Sequence, residues 1–268
     1  MEYFTISASS LNSLTQCERL YKYSHIDRLQ KIPRETFFAK GTVSHEMLAT
    51  FYRTKLHHKQ MDFNERIQLA TRVGHDQATE LELSDEDREL VLSNTIGSIV
   101  HHANESWVPV AVETEFNKIL YTSKKLDVQI IFNGKVDLLI DIPGLGRVIV
   151  DHKTSSRRSG PSYLSNQFMG YCWALNMNRI IVNQITLTKT GAPSGKYNRP
   201  MLDYEQVAIK EWGRNAIHHT LRAIHNVRNN RYPMRFNNCS FCSYKSICEM
   251  PSSLREGVIE SEYERREI

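Results

Sequence analysis

Apolar residues recur along this 268-residue chain first at a helical spacing and later at a strand spacing. Ser9 or Ser10 caps a predicted helix through Leu11, Leu14, Leu20 and Tyr21, with Cys17 on it, and Pro33 closes that segment. Gly41 precedes a second predicted helix, with Val43, Met47, Leu48 and Phe51 on one side and His45 one turn in. From about 61 to 106 the pattern is one of polar helices around Leu81, Leu90, Val91 and Ile99, and residues 55–107 are expected to be a helical insertion.

Strand signals begin at Val108 and lead through Val110 and Val112 to Glu113, Glu115 and Phe116. Leu126, Val128, Ile130 and Phe132 alternate at a period of two, and Val136–Ile140 continues to the Pro143-Gly144 turn signal. The next strand is Arg147–Lys153, followed by a basic loop at 155–161 and a helix through Leu164, Phe168, Tyr171 and Leu175. A strand at Ile180–Leu187, a Gly/Pro/Lys loop at 189–200, a return strand at Tyr204–Val207 and a long helix over about 210–229 complete the order. Residues 255–268 are strongly charged and are expected to be a mobile tail.

Composition changes this picture little. The net charge of +4 permits a polyanionic partner without requiring one. The N-terminus lacks a basic region followed by an apolar run, and no stretch approaches 18 apolar residues, so a cytoplasmic protein with no membrane contact is expected. In that compartment the five cysteines are expected as thiols or metal ligands.

The chemistry concentrates on two strands. Asp151 and Lys153 are two apart, so they share a strand face while His152 points away. If the strands pair across Pro143-Gly144, Asp137 approaches Asp151. Two adjacent carboxylates repel unless a cation joins them, and oxygen ligands suit Mg²⁺ or Mn²⁺. Asp-x-Lys alone is usually a surface ion pair, but here it ends the interior-type run Val148-Ile149-Val150, where charges need partners. His45 lies in Gly41-Thr-Val-Ser-His45, a small-residue entry into a helix, and Gln167 and Tyr171 share a helix face.

The order Gly41-x-x-x-His45, Gly134-x-x-Asp137, Asp151-x-Lys153, Gln167-x-x-x-Tyr171 resembles the RecB-like branch of the PD-(D/E)XK nucleases over most of the chain. The resemblance implies that His45, Asp137, Asp151 and the backbone carbonyl of His152 bind a divalent metal and that Lys153 is catalytic. It implies that Gln167 and Tyr171 orient the motif and contact nucleic acid. It also implies an earlier acid, for which Glu113 is the nearer match, with Glu115 on the same strand face. The implied fold is α/β, a mixed central sheet flanked by helices around a restriction-endonuclease-like core, forming one nuclease domain over 1–268.

Cys239-x-x-Cys242 and Cys248 form a compact ligand cluster within 236–250, and Cys17 is the fourth ligand if the chain ends meet. Four thiolates suit tetrahedral zinc or a [4Fe–4S] cluster, and one distant cysteine plus a group of three favours the cluster. The arrangement resembles the iron–sulfur nucleases, namely AddB-type helicase–nuclease subunits and CRISPR-associated exonucleases. Those commonly carry proline after the first cysteine, where this chain has Glu18. Cys172 reads as a small buried hydrophobe.

Arg157, Arg158, Lys189 and Lys196 lie in loops that could flank a phosphate backbone. The expectation is a metal-dependent DNA nuclease, an exonuclease acting on single strands or duplex ends, with a structural [4Fe–4S] cluster. The alternatives are a non-catalytic nucleic-acid-binding module and a zinc-stabilised scaffold. No Gly-x-x-x-x-Gly-Lys-Ser/Thr loop is present, so unwinding would need a helicase or recombination partner.

Overall fold

A computed structural model of the chain describes residues 1–32, 36–157 and 160–266. The elements begin with β1 (Glu2–Ile6), α1 (Ala8–Gln16), α2 (Glu18–Tyr21), β2 (Leu29–Lys31) and α3 (Thr36–His57). Then come α4 (Phe63–Glu80), α5 (Asp85–His101), β3 (Val108–Ser123), β4 (Val128–Ile142), β5 (Gly146–Ser155), α6 (Asn166–Leu175) and β6 (Arg179–Thr186). The chain ends with α7 (Pro193–Lys196), β7 (Tyr197–Asn198), β8 (Met201–Asp203), α8 (Gln206–Arg228), α9 (Lys245–Glu249), α10 (Arg255–Glu262) and β9 (Tyr263–Arg265). Among the described residues no helix is long and apolar enough to cross a membrane.

The chain divides into two compact units. Unit 1 comprises Met1–Arg34, Asn117–Gly134 and Lys210–Ile268; unit 2 comprises Glu35–Phe116 and Lys135–Ile209. In unit 1, β1 runs parallel to the first half of β4, from Glu2 opposite Val128 to Ile6 opposite Phe132, and β2 pairs antiparallel with β9. In unit 2, the second half of β4 pairs antiparallel with β5, β5 runs parallel to β6, and β7 and β8 pair antiparallel with β6. This is the mixed, helix-flanked α/β sheet that the resemblance implies.

Alternation along the strands builds the core of unit 2. Leu138, Ile140, Val148, Val150, Ile181 and Ile185 are buried with Val43, Met47, Leu48 and Phe51 of α3, so α3 to α5 cover one face of the sheet. Residues 63–101, within the stretch set apart in the sequence, supply Ala70, Ala78, Val91 and Ile99 to this same core. Asp151 and Lys153 point to the opposite face, where α6 lies.

Several element boundaries differ from the sequence expectation. Ser7, not Ser9 or Ser10, caps α1, because Ser7 and Ser10 exchange side-chain and backbone hydrogen bonds in a capping box. The helix stops at Gln16, and Cys17 is extended at the α1–α2 junction instead of helical. Gly41 lies inside α3, which begins at Thr36, so His45 is more than two turns in. At Gly41 a Cβ would stand 3.4 Å from Thr154 Oγ1, so α3 approaches β5 closely there. Leu126 is exposed before β4, which Asp127 introduces from a left-handed conformation. Leu164 is outside α6, whose cap is Ser165. The 189–200 loop contains α7 and β7, and the return strand is β8, with Tyr204 buried after it. Residues 255–265, expected as part of a mobile tail, form α10 and β9 because β9 pairs with β2 and Tyr263 stacks on Tyr244; Glu267 and Ile268 are outside the described residues.

Gly97 on α5 supplies a stability test. A Cβ there would fall 2.2 Å from the hydroxyl oxygen of Tyr197, whose ring is buried and cannot yield. Gly97→Ala should therefore destabilise the protein by about 1–3 kcal/mol, although Ala is the better helix former by about 1 kcal/mol. Thermal unfolding measures this, and a higher unfolding temperature for the variant would contradict the packing.

Candidate active site

Pairing in unit 2 brings the predicted acids together. Leu138 is opposite Val150, so one further step of the same register places Asp137 opposite Asp151. Both are almost fully buried, because they lie in mid-strand beside the apolar residues of β4 and β5. Asp137 Oδ2 accepts the His152 backbone N–H at 2.7 Å. Asp151 Oδ2 lies 2.8 Å from Lys153 Nζ, as a buried ion pair.

Gln167 organises the α6 side. Its Oε1 accepts from Lys153 Nζ at 2.9 Å, while its Nε2 donates to Asp151 Oδ1 at 2.9 Å and to the Tyr171 hydroxyl at 3.0 Å. Tyr171 in turn donates to the Lys135 carbonyl at 2.7 Å and packs edge-on against Phe116. The amide is thus fully used, and its orientation is set by a buried phenol tied to the backbone of β4.

The α3 side brings in His45 and Glu113. His45 Nδ1 lies 3.5 Å from Asp137 Oδ2, and the ring is hydrogen-bonded to the His152 backbone. Ligand atoms of His45, Glu113 and Asp137 all lie within 4.8 Å of one another, which is what one small cation needs. Glu113 reaches this group from a left-handed backbone, φ 52°, in mid-strand. A non-glycine residue held there carries about 1 kcal/mol or more of strain. Exposed Glu115 is not in the group, so the structure separates the two acids that sequence alone left open. Lys135 pairs with Glu113; sequence reasoning passed over it, although it is two residues from Asp137 on the same strand.

Burial raises the carboxyls of Asp137 and Asp151 from the ordinary range to about 6. Burial also lowers the His45 imidazole and, more strongly, His152. Asn183 fixes the His152 tautomer. Its Oδ1 accepts from Arg199 Nε at 2.8 Å, leaving Nδ2 to donate to His152 Nδ1 at 2.9 Å. Tyr52 stacks on the His152 ring at 5.9 Å. This anchoring network had no motif in the sequence.

Of the loop residues expected at a nucleic-acid rim, Arg157 is exposed after β5, and Arg158 lies outside the described residues. Lys189 pairs with Glu86, and Lys196 Nζ donates to the Thr188 carbonyl at 2.9 Å.

Unit 1 gathers Cys17, Cys239, Cys242 and Cys248 around one cavity of about 220 Å³, with Leu20, Tyr23 and Tyr244 in its wall. All five cysteines are free. Glu18 is buried and bonded to Arg222 at 3.0 Å and Asn226 at 2.5 Å, so it ties α2 to α8 directly after Cys17. Cys172 is fully buried on α6, and burial pushes its thiol up to about 12.

Residues 5–249 match the family described as the PD-(D/E)XK nuclease superfamily. Among solved structures, a protein from Eubacterium rectale named as a candidate exonuclease is similar at 10% identity and a TM-score of 0.55, over 92% of this chain and 90% of that one. The crystal structure of SSO0001 is similar at 15% identity and a TM-score of 0.40, over 93% of this chain and 87% of that one. At these identities the likeness is one of fold. No curated protein matches.

The raised Asp137 carboxyl makes a signed prediction. Its folded pKa of about 6 lies above the ordinary 3.8, so the metal-free protein loses stability as pH rises through that window. Asp137→Asn removes the buried charge and should stabilise the metal-free protein by about 1–3 kcal/mol at pH 8. The gain should vanish toward pH 4, where the native carboxyl is protonated, and Mn²⁺ should reverse the order at pH 8. Denaturant unfolding in EDTA tests this, and a variant no more stable than the parent at pH 8 would contradict it.

Proposed function

Because the chain belongs to the PD-(D/E)XK nuclease superfamily, we propose that it is a divalent-metal-dependent deoxyribonuclease that cleaves phosphodiester bonds at single-stranded or duplex ends. The observation that carries the reading is the convergence of His45, Glu113 and Asp137 beside the Asp151–Lys153–Gln167 group. Hard oxygen donors with one imidazole suit Mg²⁺ or Mn²⁺, and the buried Asp151 carboxylate, held by Lys153 and Gln167, offers a further oxygen beside them. His45, Asp137, Asp151 and the His152 carbonyl hold the cation in this reading, with Glu113 as a further acid. A bound divalent cation supplies Lewis acidity and lowers the pKa of water.

The chain's own residues do the positioning. Lys153 keeps its ammonium against Asp151 and presents it to the charge that develops on the phosphate. Gln167 holds both of these side chains, and Tyr171 holds Gln167. Tyr171 is 6% exposed, which favours orientation of the site over contact with DNA. Lys135 now neutralises Glu113, so Glu113 must exchange that ammonium for the cation if it ligates. The exonuclease mode draws support from the name of the Eubacterium rectale protein. Unwinding of long duplexes falls to a helicase or recombination partner.

The second part of the reading is a [4Fe–4S] cluster on Cys17, Cys239, Cys242 and Cys248. The shared cavity and its apolar wall support it. A single zinc would draw its thiolates to about 3.8 Å from one another, whereas among the described residues no three of these thiols lie within 4.8 Å of one another. The role is structural: Cys17 and the C-terminal group belong to distant parts of the chain within unit 1.

End-labelled DNA with Mg²⁺ or Mn²⁺ tests the catalytic part. Asp151→Ala and Lys153→Ala should each lower cleavage by roughly 10²-fold or more while the protein stays folded, and EDTA should abolish it. Near-normal cleavage by either variant, or activity in EDTA, would sink the assignment. Anaerobically purified protein should carry about four irons per chain. Cys17→Ser should lose them and Cys172→Ser should keep them; one zinc per chain, or the opposite pattern, would rule the cluster out.

A further inference from the structure

A second polar cavity lies in unit 2, between the last turns of α3, the start of α4 and the end of α5. It measures about 200 Å³, and its charged lining is Lys55, Arg66, His102, Glu105 and Arg199, with Tyr52 and Trp107 in the wall. None of the five charged groups belongs to the cation site. Lys55 is ten residues beyond His45, about 15 Å along α3.

The charges in this cavity do not balance. Arg199 is buried and fully engaged: it bonds Asn183 and Tyr52, pairs with Glu105, and lies 4.0 Å from the centre of the Trp107 ring. Glu105 is the one acid of the lining, and it is shared between Arg199 and His102 Nδ1, the latter at 2.9 Å. Lys55 and Arg66 form no ion pair among the described residues. Arg66 reaches the Lys59 carbonyl at 3.4 Å, while its Nε is buried without a partner. His102 Nε2 is buried without a partner as well. Burial lowers the Lys55 ammonium from its ordinary range, and repulsion from Arg66 and Arg199 lowers it further.

A half-buried ammonium and a guanidinium around one cavity, with only Glu105 nearby and that acid already shared by Arg199 and His102, are costly unless something of opposite charge enters. Guanidinium forks and ammonium groups are the side chains that suit phosphate oxygens, the first in a bidentate manner and the second as a point charge. We propose that this cavity is a binding site for a phosphate group, gripped by Lys55 and Arg66 with His102 at its side. The group comes either as free phosphate or on a mononucleotide. The site is separate from the phosphodiester site and does not depend on the nuclease reading.

Thermal unfolding of the full chain in metal-free buffer, at fixed ionic strength, tests this without any cleavage. Inorganic phosphate and a deoxynucleoside monophosphate are titrated separately against chloride. A saturable rise in unfolding temperature is expected with at least one of them. Saturation by phosphate identifies the free anion, and saturation by the mononucleotide alone identifies the nucleotide. Lys55→Met and Arg66→Gln, both at partly exposed positions, should each raise the half-saturating concentration roughly ten-fold or more. Arg199 is left intact, because its contact with Asn183 leads to His152. No saturable effect from either ligand, or variants that respond like the parent, would overturn the proposal.

Discussion

Two carboxylates buried within apolar strands are the constraint on which the site depends. Asp137 and Asp151 stand where β4 and β5 would otherwise continue their Val, Ile and Leu pattern, and burial alone disfavours their charge. Each neighbour answers that cost. Lys153 faces Asp151, Gln167 bonds both, the His152 N–H bonds Asp137, and His45 stands beside it. In the proposed reading a cation completes these contacts, and metal binding is then coupled to the fold of this region.

Strand alternation distributes the work between two faces. Asp151 and Lys153 turn toward α6, and His152 turns toward α3, where Tyr52 and Asn183 hold its ring. The peptide joining Asp151 to Lys153 is therefore clamped by a side chain that takes no part in the chemistry itself. Arg199 extends the clamp to Glu105 and Trp107. In unit 1 a comparable economy holds at Cys17: the extended residue faces the cysteine cavity, and the buried Glu18 that follows it anchors α2 on α8.

The legible parts of the sequence were those set by local periodicity. The two-residue spacing of Asp151 and Lys153 and the four-residue spacing of Gln167 and Tyr171 determined which side chains could meet, and they do meet. The order of strands and helices was legible in the same way, and the mixed sheet was what the resemblance implied. What sequence could not supply came from long-range contacts or from backbone conformation. Glu113 enters its group through a left-handed residue in mid-strand, which no pattern announces. Arg199 and Asn183 are ordinary polar residues until parallel pairing brings Asn183 opposite His152. Helix ends shifted where capping depended on a reciprocal bond, as at Ser7, and the charged C-terminal stretch forms α10 and β9, the latter paired with β2.

The most direct test of the cation site is a crystal of the protein soaked in Mn²⁺, measured at the manganese absorption edge. The account predicts an anomalous peak among His45, Glu113, Asp137 and Asp151, with the His152 carbonyl facing it and Lys135 displaced from Glu113. A fully occupied peak elsewhere, in crystals whose dissolved protein still cleaves DNA with Mn²⁺, would contradict it.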